Sequence, residues 1–218
     1  MKNYLIITQG SQAIQLLREL FSLGIKPAEI SVITLEGDFN KSFIEFLTYY
    51  KINISIVDKN SFNKELKDKI NLHKLVISFS NPFIIKENIL NKSIFVNFHP
   101  GILPTYRGSF STVWSMINKE KVVGGTWHYV KKEVDTGNIL ASTKVNVKPT
   151  STAFSLNHQI FSKGIQLIKQ VLDLVKEKNT GIKQTGIGKF YYNKFPDISN
   201  LDIDLQKRIN YFPPYYEF

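Results

Sequence analysis

The chain has 218 residues, 43% of them apolar, which suffices to fill the core of one domain or of one domain plus an appendage. It has no cysteine, which excludes a disulfide frame, a thiolate nucleophile and cysteine ligation of a metal. Its net charge of +10 rests on 28 basic residues of which only Arg18, Arg107 and Arg208 are arginines; the scattered lysines read as solvated surface, and no nucleic-acid partner is expected. No apolar run approaches the roughly 18 residues of a membrane-spanning helix. Only a short apolar stretch follows Lys2, so no signal peptide and no membrane partner are expected, and the location read from these features is cytoplasmic.

In chain order, the apolar run 4–8 predicts a buried strand, and Gln9-Gly10-Ser11 its turn. A helix follows over 11–23, with Ile14, Leu17 and Phe21 on one face and Gly24 past its end. The pattern then predicts strand 30–35, helix 41–50, strand 52–57, helix 62–70 with Ser61 as its cap, strand 75–79, a loop and short helix from Asn81, and strand 94–99. After a Pro-Gly break come a helix over 109–117, a strand over 122–130 and a second over 139–147, antiparallel to it. Thr150 or Ser151 is expected to cap a long helix reaching about 176, its apolar residues at helical spacing. Strands alternating with helices predict an α/β, Rossmann-like fold with a mostly parallel, helix-covered sheet. The division expected is a catalytic domain over 1–178 and a C-terminal extension over 179–218, too short for a core of its own. The first turn lacks Gly-x-Gly-x-x-Gly, which counts against a dinucleotide-dependent dehydrogenase.

Chemistry concentrates between 94 and 135. Asn97 and His99 are two apart at the carboxyl end of a predicted strand, so both side chains face one way, and ligands of open α/β sheets sit beyond such ends. An amide N–H can hold a developing oxyanion, and an imidazole can move protons near neutral pH. Asp135, on a Gly-flanked loop, can approach His99, orient its ring and favour its charged form. Arg107 stands out in a lysine-biased chain; its planar fork suits either bracing of loop carbonyls or contact with an anion. His128 is expected to face the core or support Asp135, whereas His73 and His158 have no partner motif.

The run Asn97-Phe98-His99-Pro100-Gly101-Ile102-Leu103-Pro104-Thr105-Tyr106-Arg107-Gly108, then Gly125-Thr126-Trp127-His128, then Asp135-Thr136-Gly137-Asn138-Ile139-Leu140, resembles the formyltransferases that use 10-formyltetrahydrofolate. The strand and helix order extends the resemblance over about residues 1–178. It implies that Asn97, His99 and Asp135 are the catalytic trio. It implies that 10-formyltetrahydrofolate is the co-substrate, without a metal, lying against Phe83, Ile84, Ile85 and the loop from Val130 to Asp135. Asn97 and protonated His99 would stabilise the tetrahedral oxyanion. Asp135 would hold His99, and the acceptor's amine proton would pass to His99 or to a water beside it.

Within that family the chain is most similar to enzymes that formylate nucleotide-linked amino sugars, such as dTDP-4-amino-4,6-dideoxy sugars, for surface polysaccharide (O-antigen) synthesis. That resemblance implies a homodimer with a C-terminal hairpin. Tyr106, Arg107, Tyr191, Tyr192, Phe195 and Lys189 are expected to meet the nucleotide-sugar, with the tail aromatics stacking on a base; those aromatics serve equally well as core or dimer interface. Two alternatives stand: a phosphoribosylglycinamide formyltransferase of purine synthesis, for which the turn at Gly10 is atypical, and a non-catalytic nucleotide- or RNA-binding protein on the same fold.

Overall fold

The structure is a computed structural model and describes residues 2–37, 40–192 and 194–211. The chain forms two compact units, one of Met1–Phe98 with His128–Glu133, the other of His99–Trp127 with Val134–Phe218. The first unit holds β1 (Lys2–Thr8), α1 (Ser11–Ser22), β2 (Ile30–Leu35), α2 (Lys41–Tyr49), β3 (Asn53–Val57), α3 (Phe62–Ile70), β4 (His73–Phe79), α4 (Glu87–Leu90) and β5 (Ile94–His99) up to Phe98. The other holds β6 (Tyr106–Gly108), α5 (Ser111–Ile117), most of β7 (Val122–Tyr129), β8 (Ile139–Asn146), α6 (Ala153–Gln166), α7 (Ile168–Lys176), β9 (Lys189–Tyr191) and α8 (Ile203–Ile209). Among the described residues no helix is long and apolar enough to cross a membrane.

The large sheet has the strand order β3-β2-β1-β4-β5-β7-β8, and the four pairings from β3 through β5 are all parallel. Parallel strands covered on both faces read as continuous apolar runs, as Leu5-Ile6-Ile7 and Val76-Ile77 do. On one side Leu5, Ile7, Ile33, Val76 and Phe95 pack with Phe62, Leu66 and Ile70 of α3. Phe98 points away from its neighbours Asn97 and His99, is buried, and stacks on Phe79 at 5.6 Å. That anchor sets β5 and so the facing of the two polar residues beside it.

The expected elements appear, with differences at their ends. β4 begins at His73, two residues before the expected strand 75–79. Ser61 stands at the start of α3, but its hydroxyl turns back to accept from the Asp58 N–H instead of capping the helix. α5 begins at Ser111, two residues late, because Phe110 adopts left-handed backbone angles (φ 56°). Thr152, not Thr150 or Ser151, caps α6, its hydroxyl accepting from the Ser155 N–H at 3.0 Å. Thr152→Ala should lower stability by about 1 kcal/mol in a urea titration; no change would mean that this cap bond contributes nothing.

The long helix is broken at Leu167. Trp127, fully buried, donates from its indole N–H to the Gly164 carbonyl at 2.8 Å. The same carbonyl accepts the Leu167 N–H in a tighter three-residue turn, and α7 starts anew. β6 and β9 pair in parallel as a separate two-stranded sheet, Tyr106 with Lys189 and Gly108 with Tyr191. The closing run 212–218 lies outside the described residues.

Candidate active site

Asn97, in the first unit, has its amide fixed by His128 of the same unit. The His128 Nδ1 lies 2.8 Å from the Tyr129 carbonyl, an acceptor, so Nδ1 carries the proton. Nε2 is the nitrogen left to accept, and Asn97 Nδ2 lies 3.2 Å from it. This sets which end of the carboxamide is nitrogen. The second N–H of Asn97 has no partner among the described residues and is a ready donor to an oxyanion. The expectation that His128 supports Asp135 gives way to this contact: buried His128 supports Asn97.

His99 belongs to the second unit and is 4% exposed. Its Nε2 lies 2.6 Å from the Tyr106 carbonyl and 3.1 Å from Ser111 Oγ, whose hydroxyl reaches the Gly108 carbonyl. Its Nδ1 lies 3.3 Å from Asp135 Oδ2. A carbonyl can only accept, so Nε2 carries a proton; a carboxylate faces Nδ1, so a neutral ring would set a lone pair against a negative charge. The pairing favours the imidazolium with both nitrogens protonated. Asp135 in turn accepts the Gly108 N–H at 2.8 Å, and its backbone is left-handed, φ 55°. Thr126, fully buried, accepts the Leu103 N–H and donates to the Gly101 carbonyl, bracing the turn that follows His99. Gly101 is required there, since a Cβ would stand 2.5 Å from His99 Nε2.

Arg107 braces a loop indirectly, through a residue that the sequence did not single out. Its Nε and Nη2 donate to Gln184 Oε1 at 3.2 and 2.7 Å. The Gln184 amide donates onward to the carbonyls of Asp135 and Gly137 at 2.9 and 2.7 Å. Nothing in the local sequence marks Gln184, because its partners are backbone carbonyls and a side chain far along the chain.

The formyl transferase pattern matches residues 48–172, more than half of the chain. The chain belongs to the formyl transferase family. It is 33% identical over 127 residues to the GDP-perosamine N-formyltransferase of Brucella melitensis biotype 1, covering 55% of this chain and 49% of that protein. It is 30% identical over 149 residues to the methionyl-tRNA formyltransferase of Clostridioides difficile (strain 630), covering 66% and 48%. The chain thus spans about half the length of the curated relatives it matches. Its fold is that of the Helicobacter canadensis N-formyltransferase solved with folinic acid and dTDP-3-aminofucose: the TM-score is 0.75 at 23% identity, over 95% of this chain and 80% of that one.

The other residues expected to bind ligands in this member of the family fall into two groups. Toward the donor, Ile84 is 71% exposed, Phe83 rests on Phe62 at 5.0 Å, and Val130 lies against the first unit's core. Ile85 departs from the expectation: it is buried in that core, so its part is structural. Beside Val130 is a shallow cavity of about 400 Å³, lined also by Glu87, Leu90, Asn91, Lys131, Lys132 and Glu133.

Toward the nucleotide-sugar, Tyr106 of β6 and Tyr191 of β9 depart from it too. Both are buried, stacked on each other at 5.6 Å, and Trp114 covers Tyr191 at 4.6 Å. Asn118 donates to both hydroxyls, and the Tyr106 hydroxyl donates to Glu120 at 2.7 Å. Burial, with Glu120 alongside, pushes the Tyr106 phenol up to about 12. These rings are core between β6, α5 and β9, with no open face for a base. Tyr192, Phe195 and Lys189 are exposed, Lys189 standing 5.1 Å over the Tyr191 ring and Phe195 meeting Phe110 edge-on.

Proposed function

We propose that this chain transfers the formyl group of 10-formyltetrahydrofolate to the amine of a nucleotide-linked amino sugar, of the dTDP-4-amino-4,6-dideoxy class, for surface polysaccharide synthesis. The observation that carries the reaction type is His99 set between the Tyr106 carbonyl and the Asp135 carboxylate, a pairing that favours its charged form. Two residues earlier in β5 is the oriented donor Asn97. Family membership supports the same reaction. The name of the Brucella relative and the dTDP-aminosugar in the Helicobacter structure support a sugar amine as acceptor.

In this mechanism the acceptor amine attacks the formyl carbon, and the tetrahedral adduct then collapses by breaking the bond to N10, which takes up a proton and leaves as tetrahydrofolate. Asn97 Nδ2–H and the His99 imidazolium meet the oxygen as it gains charge. To do so, the Nε2–H of His99 exchanges the Tyr106 carbonyl for the substrate oxygen. A ring protonated on both nitrogens takes up no further proton, so the amine's proton leaves through water or Asp135. The folate packs on Phe83, Ile84 and the segment from Val130 to Asp135. Arg107 and the exposed Tyr192, Phe195 and Lys189 serve the nucleotide-sugar, and the protein works in the cytoplasm as a homodimer.

Mixing the protein with 10-formyltetrahydrofolate and a panel of dTDP-, GDP- and UDP-amino sugars should yield one product heavier by a formyl group. Turnover of glycinamide ribonucleotide, with none of any sugar, would move the assignment to purine synthesis. One contact counts against that reading: the Gly10 N–H, in the turn where a phosphate would sit, donates to Asn40 Oδ1 at 2.7 Å. Salt-sensitive RNA binding with no formyl transfer would instead make it a binding protein.

A further inference from the structure

We propose that Gln184 is a positioning residue for the catalytic pair, its carboxamide tying the Asp135 loop to Arg107 and so fixing the carboxylate that faces His99. The amide is used in full. Both hydrogens of Nε2 go to carbonyls, those of Asp135 and Gly137, and Oε1 takes two donors from the Arg107 guanidinium. Donors on one side and acceptors on the other permit only this orientation of the amide.

What it holds needs holding. Asp135 has left-handed backbone angles, a conformation that a residue with a side chain keeps only when its surroundings impose it. The same residue presents Oδ2 to both the Gly108 N–H and His99 Nδ1. Gln184 grips the loop by its backbone on either side of Thr136, while the carboxylate works on the other end of the same residue. Arg107 and Gly108 are neighbours in β6, so one strand anchors both ends of the loop, through Gln184 and through the Gly108 amide. The segment carrying Gln184 is itself fastened on each side. Ile182 pairs with Ile139 by two backbone bonds of 2.8 Å. Gly188 passes so close to Arg107 that a Cβ would sit 3.0 Å from the guanidinium carbon.

His99 is faced by the Asp135 carboxylate from the loop, the Tyr106 carbonyl from β6 and the Ser111 hydroxyl from α5. Loosening Gln184 disturbs the first of these. The kinetic consequence rests on the formyl-transfer reading; the structural one does not.

The test uses Gln184→Met, which keeps the volume and removes every hydrogen bond, and Gln184→Glu, which still accepts from Arg107 but donates nothing to the two carbonyls. In both, the His99 ring signals in NMR spectra, assigned by their loss in His99→Ala, should move, while those of His73, His128 and His158 stay. The kcat should fall by about tenfold or more, and by a larger factor than either KM changes. Unmoved His99 signals, or a Gln184→Glu protein as active as wild type, would overturn the proposal. Should neither variant fold, the wild type decides: the Gln184 side-chain amide protons should exchange with solvent far more slowly than those of exposed Gln15, and equal rates would overturn it. If wild type transfers no formyl group, the proposed function fails, and the clamp is judged by the two NMR measurements alone.

Discussion

Asn97→Ala and His99→Ala should each lower kcat by roughly a hundredfold or more, with circular dichroism spectra like that of the wild type. The two losses have different causes. Alanine at 97 removes a donor whose direction is set by the His128 lone pair, 3.2 Å from Nδ2. The oxyanion then loses a preorganised N–H, and water cannot replace it without reorganising. Alanine at 99 removes the only cation of the trio. It also leaves the Asp135 carboxylate, 9% exposed at its side chain, with the Gly108 N–H but no imidazolium. His99→Ala should therefore also unfold at a lower temperature than Asn97→Ala, because taking the imidazole from a buried carboxylate is costly. Near-full activity in either variant would remove that residue from the chemistry, and two intact activities would end the formyl-transfer mechanism as written.

Trp127→Ala should cost about 3–5 kcal/mol in an equilibrium denaturant titration, the largest stability loss expected of any single truncation here. Trp127 heads the fully buried side chains by volume, and its indole N–H ends on the Gly164 carbonyl. Truncation opens a cavity and also releases the carbonyl that turns α6 into α7. Trp127→Phe fills most of the space but leaves that carbonyl to its single backbone donor, so it should fall between wild type and alanine. A loss below about 1 kcal/mol for alanine would show that the second unit's core closes over the gap.

The strands of the first unit were legible because a sheet buried on both faces needs uninterrupted apolar runs, and runs such as 4–8 and 75–79 have no competing reading. Asn97, His99 and Asp135 stand out in the sequence because a long motif in fixed order carries them. His99 and Asp135 do meet, at 3.3 Å. Helix ends were less legible. Nothing local tells that Phe110 turns left-handed, or that an indole 37 residues away takes the carbonyl of Gly164. β6 and β9 escaped notice because three residues show no period. The tail aromatics misled for a related reason. Composition told that Tyr191 and Tyr192 are large and flat, but neighbouring strand residues point opposite ways, so one became core and the other surface.

The contacts between β6 and the segment of Gln184 have a consequence for how the molecule comes into being. Arg107 and Gln184 are 77 residues apart, and joining them closes one of the longest loops in the chain. Closures of that length come late, after contacts nearer in sequence have restricted the chain. During synthesis, His99 and Asp135 leave the ribosome well before the glutamine that steadies them. A nascent chain halted near residue 178 would carry Asn97, His99 and Asp135 and still show an unpaired edge at Ile139 and an uncovered ring at Tyr106. Assembly of the working geometry is therefore timed by the arrival of the 180s, and a chaperone has most to shield in the interval before it.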